Sequence, residues 1–193
     1  RGDQPAIYGS QTAWWVMNDV GGEHEQTGTP PLGVEVQVAA FAVRGVTRPL
    51  DEATFYRYRI VNRSANTIDS MYVSLFLDPD LGDASDDYLG ADTVRSMGFV
   101  YNAGATDAVY GVPPAQGVQV AQGPVGVLNG RDDDGDGETD EAGERLGMTA
   151  FTYIVSAGGP TADPTQSEGG PAYYHHMQGL WKDGTPITEG GDG

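Results

Sequence analysis

The residues best suited to chemistry are the carboxylates of an acidic stretch from Asn129 to Glu141. Those at 132, 134 and 136 alternate along the chain, and those at 140 and 141 lie beyond the glycine at position 137. Ca²⁺ takes about six to eight oxygen ligands, and carboxylates at alternate positions of a curled loop can converge on one ion. Gly137 favours the sharp turn because it has no Cβ. We therefore predict a calcium site with ligands from Asp132, Asp134, Asp136 and Asp140, the backbone carbonyl of Glu138 in the seventh loop position, and Asp140 or Glu141 closing the site.

This stretch matches an EF-hand loop only at its start. Its alternating carboxylates and following glycine fit that pattern, but Gly143 stands where an EF-hand loop has its bidentate glutamate. No amphipathic helix pattern flanks the stretch on either side. We therefore expect a short calcium loop of the Asp-rich repeat kind, and the alternative is a solvated acidic turn.

A second acidic stretch runs from Asp78 to Asp92 and directly follows the apolar residues 75–77. Carboxylates held close to a core are costly unless a cation or a hydrogen-bond donor pairs with them. Arg95 is the nearest cation in the sequence, and Arg57 and Arg59 could contribute from a neighbouring strand. We predict a second calcium site built from Asp78, Asp80, Asp86 and Asp87, with Asp83 or Asp92 completing the shell. The alternative is a solvated loop capped by arginine.

The composition restricts the partners and the compartment. The chain has 193 residues, a net charge of −18 and no cysteine. Such acidity disfavours nucleic acid and anionic membranes, which are recognised by clustered lysine and arginine. The longest apolar run, Val38 to Val43, is too short for membrane insertion. Calcium can stabilise an exported protein in place of disulfides, so the acidic loops favour a secreted or extracellular location.

The apolar pattern predicts a chain of short strands. Alternating or apolar runs separated by glycine, proline and polar turns occur at 11–19, 34–43, 54–61, 67–77, 93–101, 118–120 and 148–155. We expect 54–61 and 67–77 to form an antiparallel hairpin, with Arg57 and Arg59 on its exposed face. Residues 173–181 fit a short helix or an irregular segment. The fold class predicted is all-β, a single antiparallel β-sandwich or jelly-roll-like domain over residues 1–193, with long acidic loops and little helix.

The sequence lacks the motifs of common catalytic sites. It has no Gly-x-Ser-x-Gly elbow, phosphate-binding glycine loop or His-Glu-x-x-His helix, so we expect no enzyme activity. Exposed aromatic residues could instead stack on sugar rings, although packing in the core is the commoner role of such side chains. The candidates for weak ligand binding are Trp14, Trp15, Tyr173, Tyr174 and Trp181.

Four segments occur together in a fixed order: residues 14–19, the acidic stretch 78–92, the Asp-rich loop, and Leu180-Trp181-Lys182-Asp183-Gly184-Thr185-Pro186. Together they resemble a region of large secreted proteins of the Bacteroidota and their relatives. Those proteins often carry a C-terminal sorting domain of the gliding-associated (type IX) secretion system. The resemblance implies an extracellular or cell-surface location and brings no established activity. It also leads us to expect that the chain is a fragment of a larger secreted protein.

Two functions from different classes follow. The first is a non-catalytic calcium-binding β-sandwich domain of an exported cell-surface or extracellular protein, including filament-forming ones, with a structural or adhesive role. Its partners would be other domains of the same protein or like subunits. The alternative is a carbohydrate-binding module attached to an extracellular hydrolase, with an extracellular polysaccharide as its partner.

Overall fold

The computed structural model describes residues 6–45, 47–125, 130, 132, 136–141, 143–155 and 158–187. Over these residues the chain forms six strands and one α-helix: β1 (Gln11–Asn18), β2 (Val34–Ala42), β3 (Thr54–Asn62), β4 (Asp87–Asp92), β5 (Met97–Asn102), β6 (Ala115–Gln119) and α1 (Gly169–Met177). Short 3-10 helices cover Leu50–Glu52 and Ala84–Asp86. The mostly β fold with little helix is therefore confirmed.

The strands form two antiparallel three-stranded sheets, in the orders β1-β2-β3 and β4-β5-β6. Neither sheet is closed, and the sandwich or jelly-roll arrangement stays a prediction. The chain divides into two compact units, Arg1–Met71 and Tyr72–Gly193, each containing one sheet. The single domain expected over residues 1–193 likewise stays a prediction.

The first sheet forms where the alternating patterns predict it. Its central strand β2 pairs with β1 from Glu35 to Ala42 on one side and with β3 from Val34 to Ala42 on the other, so every β2 residue from Glu35 onward has a partner in both neighbours. Val38 and Ala39 at the middle of β2 are buried. Arg57 and Arg59 of β3 are exposed, as the sequence predicts. Because β2 is paired on both edges, it fixes the positions of the side chains on both faces of the sheet.

The predicted strand at 67–77 is wrong, and so is its hairpin with 54–61. Within the described residues, none from 67 to 77 lies in a strand, and β3 pairs with β2 instead. Asn62 ends β3 by donating from Nδ2 to the carbonyl of Asn66 at 2.7 Å, and Ser70 interrupts the extended backbone at φ 52°. The apolar side chains beyond it are exposed, with Phe76 at 71 %. Alternation of apolar residues thus does not by itself produce strand pairing here.

The second sheet begins inside the acidic stretch. Residues 87–92, which we expected in a long loop, form β4 and pair with β5. The expected strand at 93–101 starts only at Met97, because the chain turns at 93–96. Val118 lies in β6, next to β5. The strand predicted within 118–120 is thus confirmed, although it begins at Ala115.

The strand predicted at 148–155 is also wrong. Among the described residues of this segment, only Val155 forms a backbone bridge, with Ala162. The segment packs through its side chains: the Tyr153 ring lies edge-on to Trp181 at 5.2 Å, and a side chain at Gly98 would collide with Phe151. Its apolar pattern therefore reflects burial against β5 and Trp181, beside α1, without strand pairing.

Candidate metal centre

The described part of the Asp-rich loop curls around the Asp132 carboxylate. The backbone N–H groups of Asp136 and Gly137 donate to Asp132 at 3.2 and 2.9 Å, and that of Glu138 donates to Asp136 at 2.8 Å. Gly137 has φ 99°, a left-handed conformation that confirms the turn expected at this glycine. Side chains that accept from residues further along the loop hold its backbone in a tight curve.

The end of this loop folds back onto its beginning. The Gly130 N–H donates to both carboxylate oxygens of Asp140, at 3.0 and 2.9 Å, and Asp140 itself has φ 57°. Glu138 is exposed and Glu141 is half-buried. Asp134, the middle carboxylate of the predicted site, lies outside the described residues. Asp132, Asp136 and Asp140 thus belong to one loop whose described backbone is held by hydrogen bonds to its own carboxylates.

The second acidic stretch satisfies many of its carboxylates with donors from the chain. Asp83 accepts from the backbone and hydroxyl of Ser85 at 3.0 and 2.6 Å, and these hydrogen bonds lower its pKa. Asp86 accepts from Asn102 Nδ2 at 2.6 Å. Asp92 pairs with Arg95 at 2.5 Å, and that hydrogen bond lowers the Asp92 pKa. Asp78 and Asp80 are exposed, so the premise that a rigid apolar strand holds them near the core is wrong.

Asp87 differs from its neighbours. Its Oδ2 accepts from the Leu81 N–H at 2.9 Å, while its Oδ1 is buried and receives no hydrogen bond from the described chain. A buried carboxylate oxygen without a donor is unfavourable unless a cation or a water molecule satisfies it. Asp87 is therefore the carboxylate of the second stretch whose environment most favours a bound cation.

Sequence reasoning missed Asp107, which is only 4 % exposed. Its carboxylate accepts from the backbone of Tyr110, Val109 and Asp83, the last two at 2.8 and 3.1 Å. The Tyr110 hydrogen bond is the main reason that the Asp107 pKa is lowered. Gly82, at φ 87°, lies against this carboxylate, and any side chain there would collide with it. The hydrogen bond from the Val109 N–H, two residues on, is a turn feature typical of aspartate, whereas the contact with Asp83 has no local sequence signal.

In the part of the chain that the structure describes, no group of three or more His, Asp or Glu side chains is placed to hold a metal ion. The curled loop and the Asp87 oxygen are thus separate features of the second unit. Each offers carboxylate oxygens, the ligands that Ca²⁺ prefers.

The aromatic candidates divide into exposed and packed residues. Trp14 and Trp15 on β1 are 65 % and 38 % exposed. Tyr173 donates from its hydroxyl to the Pro164 carbonyl at 3.2 Å, and the Tyr174 ring lies edge-on to Tyr72 at 5.4 Å. Trp181 is 2 % exposed, so its assignment as a sugar-stacking residue is wrong: neither face of its ring is open to a ligand.

Comparison with known proteins gave no match among family models, curated proteins or solved structures. Among the described helices, none is long and apolar enough to cross a membrane.

Proposed function

We propose that this chain is a non-catalytic, calcium-binding β domain of an exported cell-surface or extracellular protein, with a structural or adhesive role. The observation that carries the proposal is the closed acidic loop, in which the Asp132 carboxylate accepts from Asp136 and Gly137 while Asp140 accepts from Gly130. The curled backbone ties Asp132, Asp136 and Asp140 into one loop, from which calcium binding would draw their carboxylates together. Their mutual repulsion falls when a divalent cation binds between them.

Asp87 supports a second, weaker site in the same unit. A calcium ion would satisfy its buried Oδ1, which receives no hydrogen bond from the described chain. Asp78 and Asp80 are exposed and could swing in as further ligands. The site would consequently form around Asp87, and Asp83, Asp86 and Asp92 would have to exchange existing partners to join it.

The location follows from the same chemistry. Calcium sites in extracellular modules bind Ca²⁺ with a Kd on the order of 10⁻⁴–10⁻³ M, so they fill only where calcium is abundant. The net charge of −18 keeps the chain apart from anionic surfaces. Its partners in this proposal are other domains of the same secreted protein or like subunits.

Isothermal titration of calcium into the chelator-treated chain tests the main site. The wild-type chain is expected to bind with a Kd on the order of 10⁻⁴–10⁻³ M. The D134A/D136A variant should lose this binding event. The D51A/D69A variant is a matched control, because it removes the same charge from exposed positions in the first unit.

Two results would contradict the proposal. Equal calcium binding by the wild-type chain and D134A/D136A would exclude the Asp-rich loop as the site. Equal losses in D134A/D136A and D51A/D69A would mean that calcium merely screens net charge.

A further inference from the structure

One face of the β1-β2-β3 sheet carries a row of aromatic residues. In the register of the strands, Trp15 pairs with Val38 and Val38 pairs with Tyr58, so these three side chains lie side by side on one face. Tyr56 lies two residues before Tyr58 on the same strand, and its side chain therefore points to the same side of the sheet. The Tyr56 and Tyr58 rings are nearly parallel, at 15° and 6.2 Å between centroids.

This face is open although it is apolar. Trp15, Tyr56 and Tyr58 keep 38 %, 55 % and 46 % of their surface exposed, whereas Val38 between them is fully buried. The strand residues on this face beside them are Ala13, Met17, Val36, Ala40 and Ile60, with Gln11, Val34, Ala42, Thr54 and Asn62 towards the strand ends, so the face has no charged side chain along its strands. In a chain with a net charge of −18, a neutral aromatic surface of this kind is distinctive.

The opposite face has a different character. There Glu35 pairs with Arg63 at 2.8 Å, and Arg57 donates to the Tyr8 hydroxyl at 2.9 Å. Tyr8, Phe41 and Phe55 form a continuous ring cluster with centroid distances of 5.4 and 5.2 Å. One face of the sheet is therefore charged, with its side chains paired to one another. The other face is neutral, and its aromatic rings remain exposed to a ligand.

We propose that Trp15, Tyr56 and Tyr58 form a binding platform for a neutral polysaccharide chain. The faces of a pyranose ring present C–H groups, and these pack on aromatic rings whose faces carry partial negative charge. The indole N–H and the two phenol hydroxyls lie at the edges of those rings, where the hydroxyl groups of a sugar can exchange hydrogen bonds with them. Three ring systems on one face of a sheet can contact successive sugars of a linear chain.

Charge favours a neutral ligand over an acidic one. The platform offers no cation to pair with a uronate or sulfate group, and the acidity of the whole chain repels polyanions. Amphipathic rings also suit a hydrated sugar better than a purely apolar protein surface, because a dry interface would have to satisfy each buried N–H and O–H. The platform lies in the first unit, so this inference does not rest on calcium binding.

The test is affinity electrophoresis through gels containing hydroxyethyl cellulose, mixed-linkage β-glucan, xylan or galactomannan, followed by titration with the hexasaccharide of the polymer that retards most. The wild-type chain is expected to be retarded by at least one neutral polymer and not by polygalacturonate. W15A and Y58A should each weaken binding by about tenfold or more, as for aromatic residues at the centre of an interface. W15F should recover part of the affinity because it restores a ring.

W14A is the matched control. Trp14 is the adjacent residue and is more exposed than Trp15, but it pairs with Ala39 and so lies on the opposite face. Its loss should change affinity less than about twofold. The same titration in excess chelator should be unchanged, which separates this inference from the calcium proposal.

Three results would overturn the platform. The first is no retardation of the wild-type chain by any neutral polymer. The second is equal loss of binding in W14A and W15A. The third is a wild-type dimer in sedimentation that W15A dissociates, because the aromatic face would then be a contact between copies of the chain.

Discussion

The two units of this chain hold their functional residues in different ways. In the first, β2 pairs on both edges, and the backbone ladder alone decides which side chains share a face. In the second, residues outside the β4-β5-β6 ladder are held by individual side chains: Asp107 fixes the turn at 107–111, Asp132 curls the described part of the acidic loop, and Trp181 fills the core. A site built on a ladder tolerates changes at single positions, whereas a site held by anchors depends on each of them.

The largest change in the free energy of unfolding is expected when Trp181 is replaced. Replacing this buried ring with alanine removes its edge-on contact with Tyr153 and leaves a cavity, at a cost of about 3–5 kcal/mol. Urea denaturation of W181A against W14A measures the difference, since Trp14 is 65 % exposed and its loss should cost far less. Equal destabilisation by the two variants would show that the second unit does not depend on this anchor.

Amide hydrogen exchange of W181A sharpens the comparison between the units. Protection in β4, β5, β6 and α1 should fall, because these elements share the unit that Trp181 stabilises. A parallel fall in β1–β3 would confirm the predicted single domain over residues 1–193. Unchanged protection in β1–β3 would contradict that prediction.

The difference between the units also explains what the sequence could predict. Alternation at 11–19, 34–43 and 54–61 correctly locates β1, β2 and β3, because pairing on both edges of β2 converts a local pattern into a sheet. The same kind of pattern at 67–77 fails, since Ser70 turns the chain and the segment finds no ladder. Periodicity measures which face is apolar and says nothing about whether a neighbouring strand is available.

The candidate site shows the same limit. The turn at Gly137 follows from its residue type and is present. The anchoring role of Asp107 depends on a contact with Asp83, which lies 24 residues earlier, and no local pattern reports such a distance. The exposure of Tyr56 and Tyr58 could not be predicted either. The arginines at 57 and 59 indicate an exposed face on their own side of β3, and the alternation then predicts that Tyr56 and Tyr58, on the other side, are buried.

Calcium bound at the second acidic stretch should raise the free energy of unfolding by less than the W181A substitution lowers it. An ion that binds only the folded chain contributes RT ln(1 + [Ca²⁺]/Kd), about 2.7 kcal/mol at a hundredfold excess over Kd. Thermal melts of D134A/D136A isolate this stretch, because the Asp-rich loop has then lost two of its predicted ligands. We expect a higher melting temperature in calcium than in chelator and no such difference once D87N is added. Identical melting temperatures in both conditions would exclude the second site.

Replacing Asp107 tests whether a single side chain holds the turn at 107–111. D107A leaves the N–H groups of Val109, Tyr110 and Asp83 without their acceptor, so their amides should exchange faster than in the wild-type chain. D78A is the control, since Asp78 is an exposed carboxylate of the same unit. Unchanged exchange at all three amides in D107A would show that the turn is held by other contacts.

The smallest expected change in stability is at Glu168, which directly precedes α1. Hydrogen bonds from the Thr165 backbone and from Lys182 lower its pKa from 4.5 to about 2. A carboxyl whose pKa is lower in the folded state stabilises the fold above its unfolded pKa, and the effect disappears as the pH falls through about 2. The melting temperature of E168Q should thus lie below that of the wild-type chain at pH 7, and the gap should close with acidification. A gap that is independent of pH would exclude this ionic contribution.

Calcium titration followed by amide chemical shifts tests the central claim most directly, because it reports both units in one experiment. We expect saturable shifts at Gly130, Asp132 and residues 136–141, followed by weaker ones at Leu81 and Asp87, while the β1–β3 amides stay in place. Magnesium at equal ionic strength should leave the shifts largely unchanged. An Asp-rich loop whose shifts stay constant up to calcium about tenfold above the expected Kd would contradict the account.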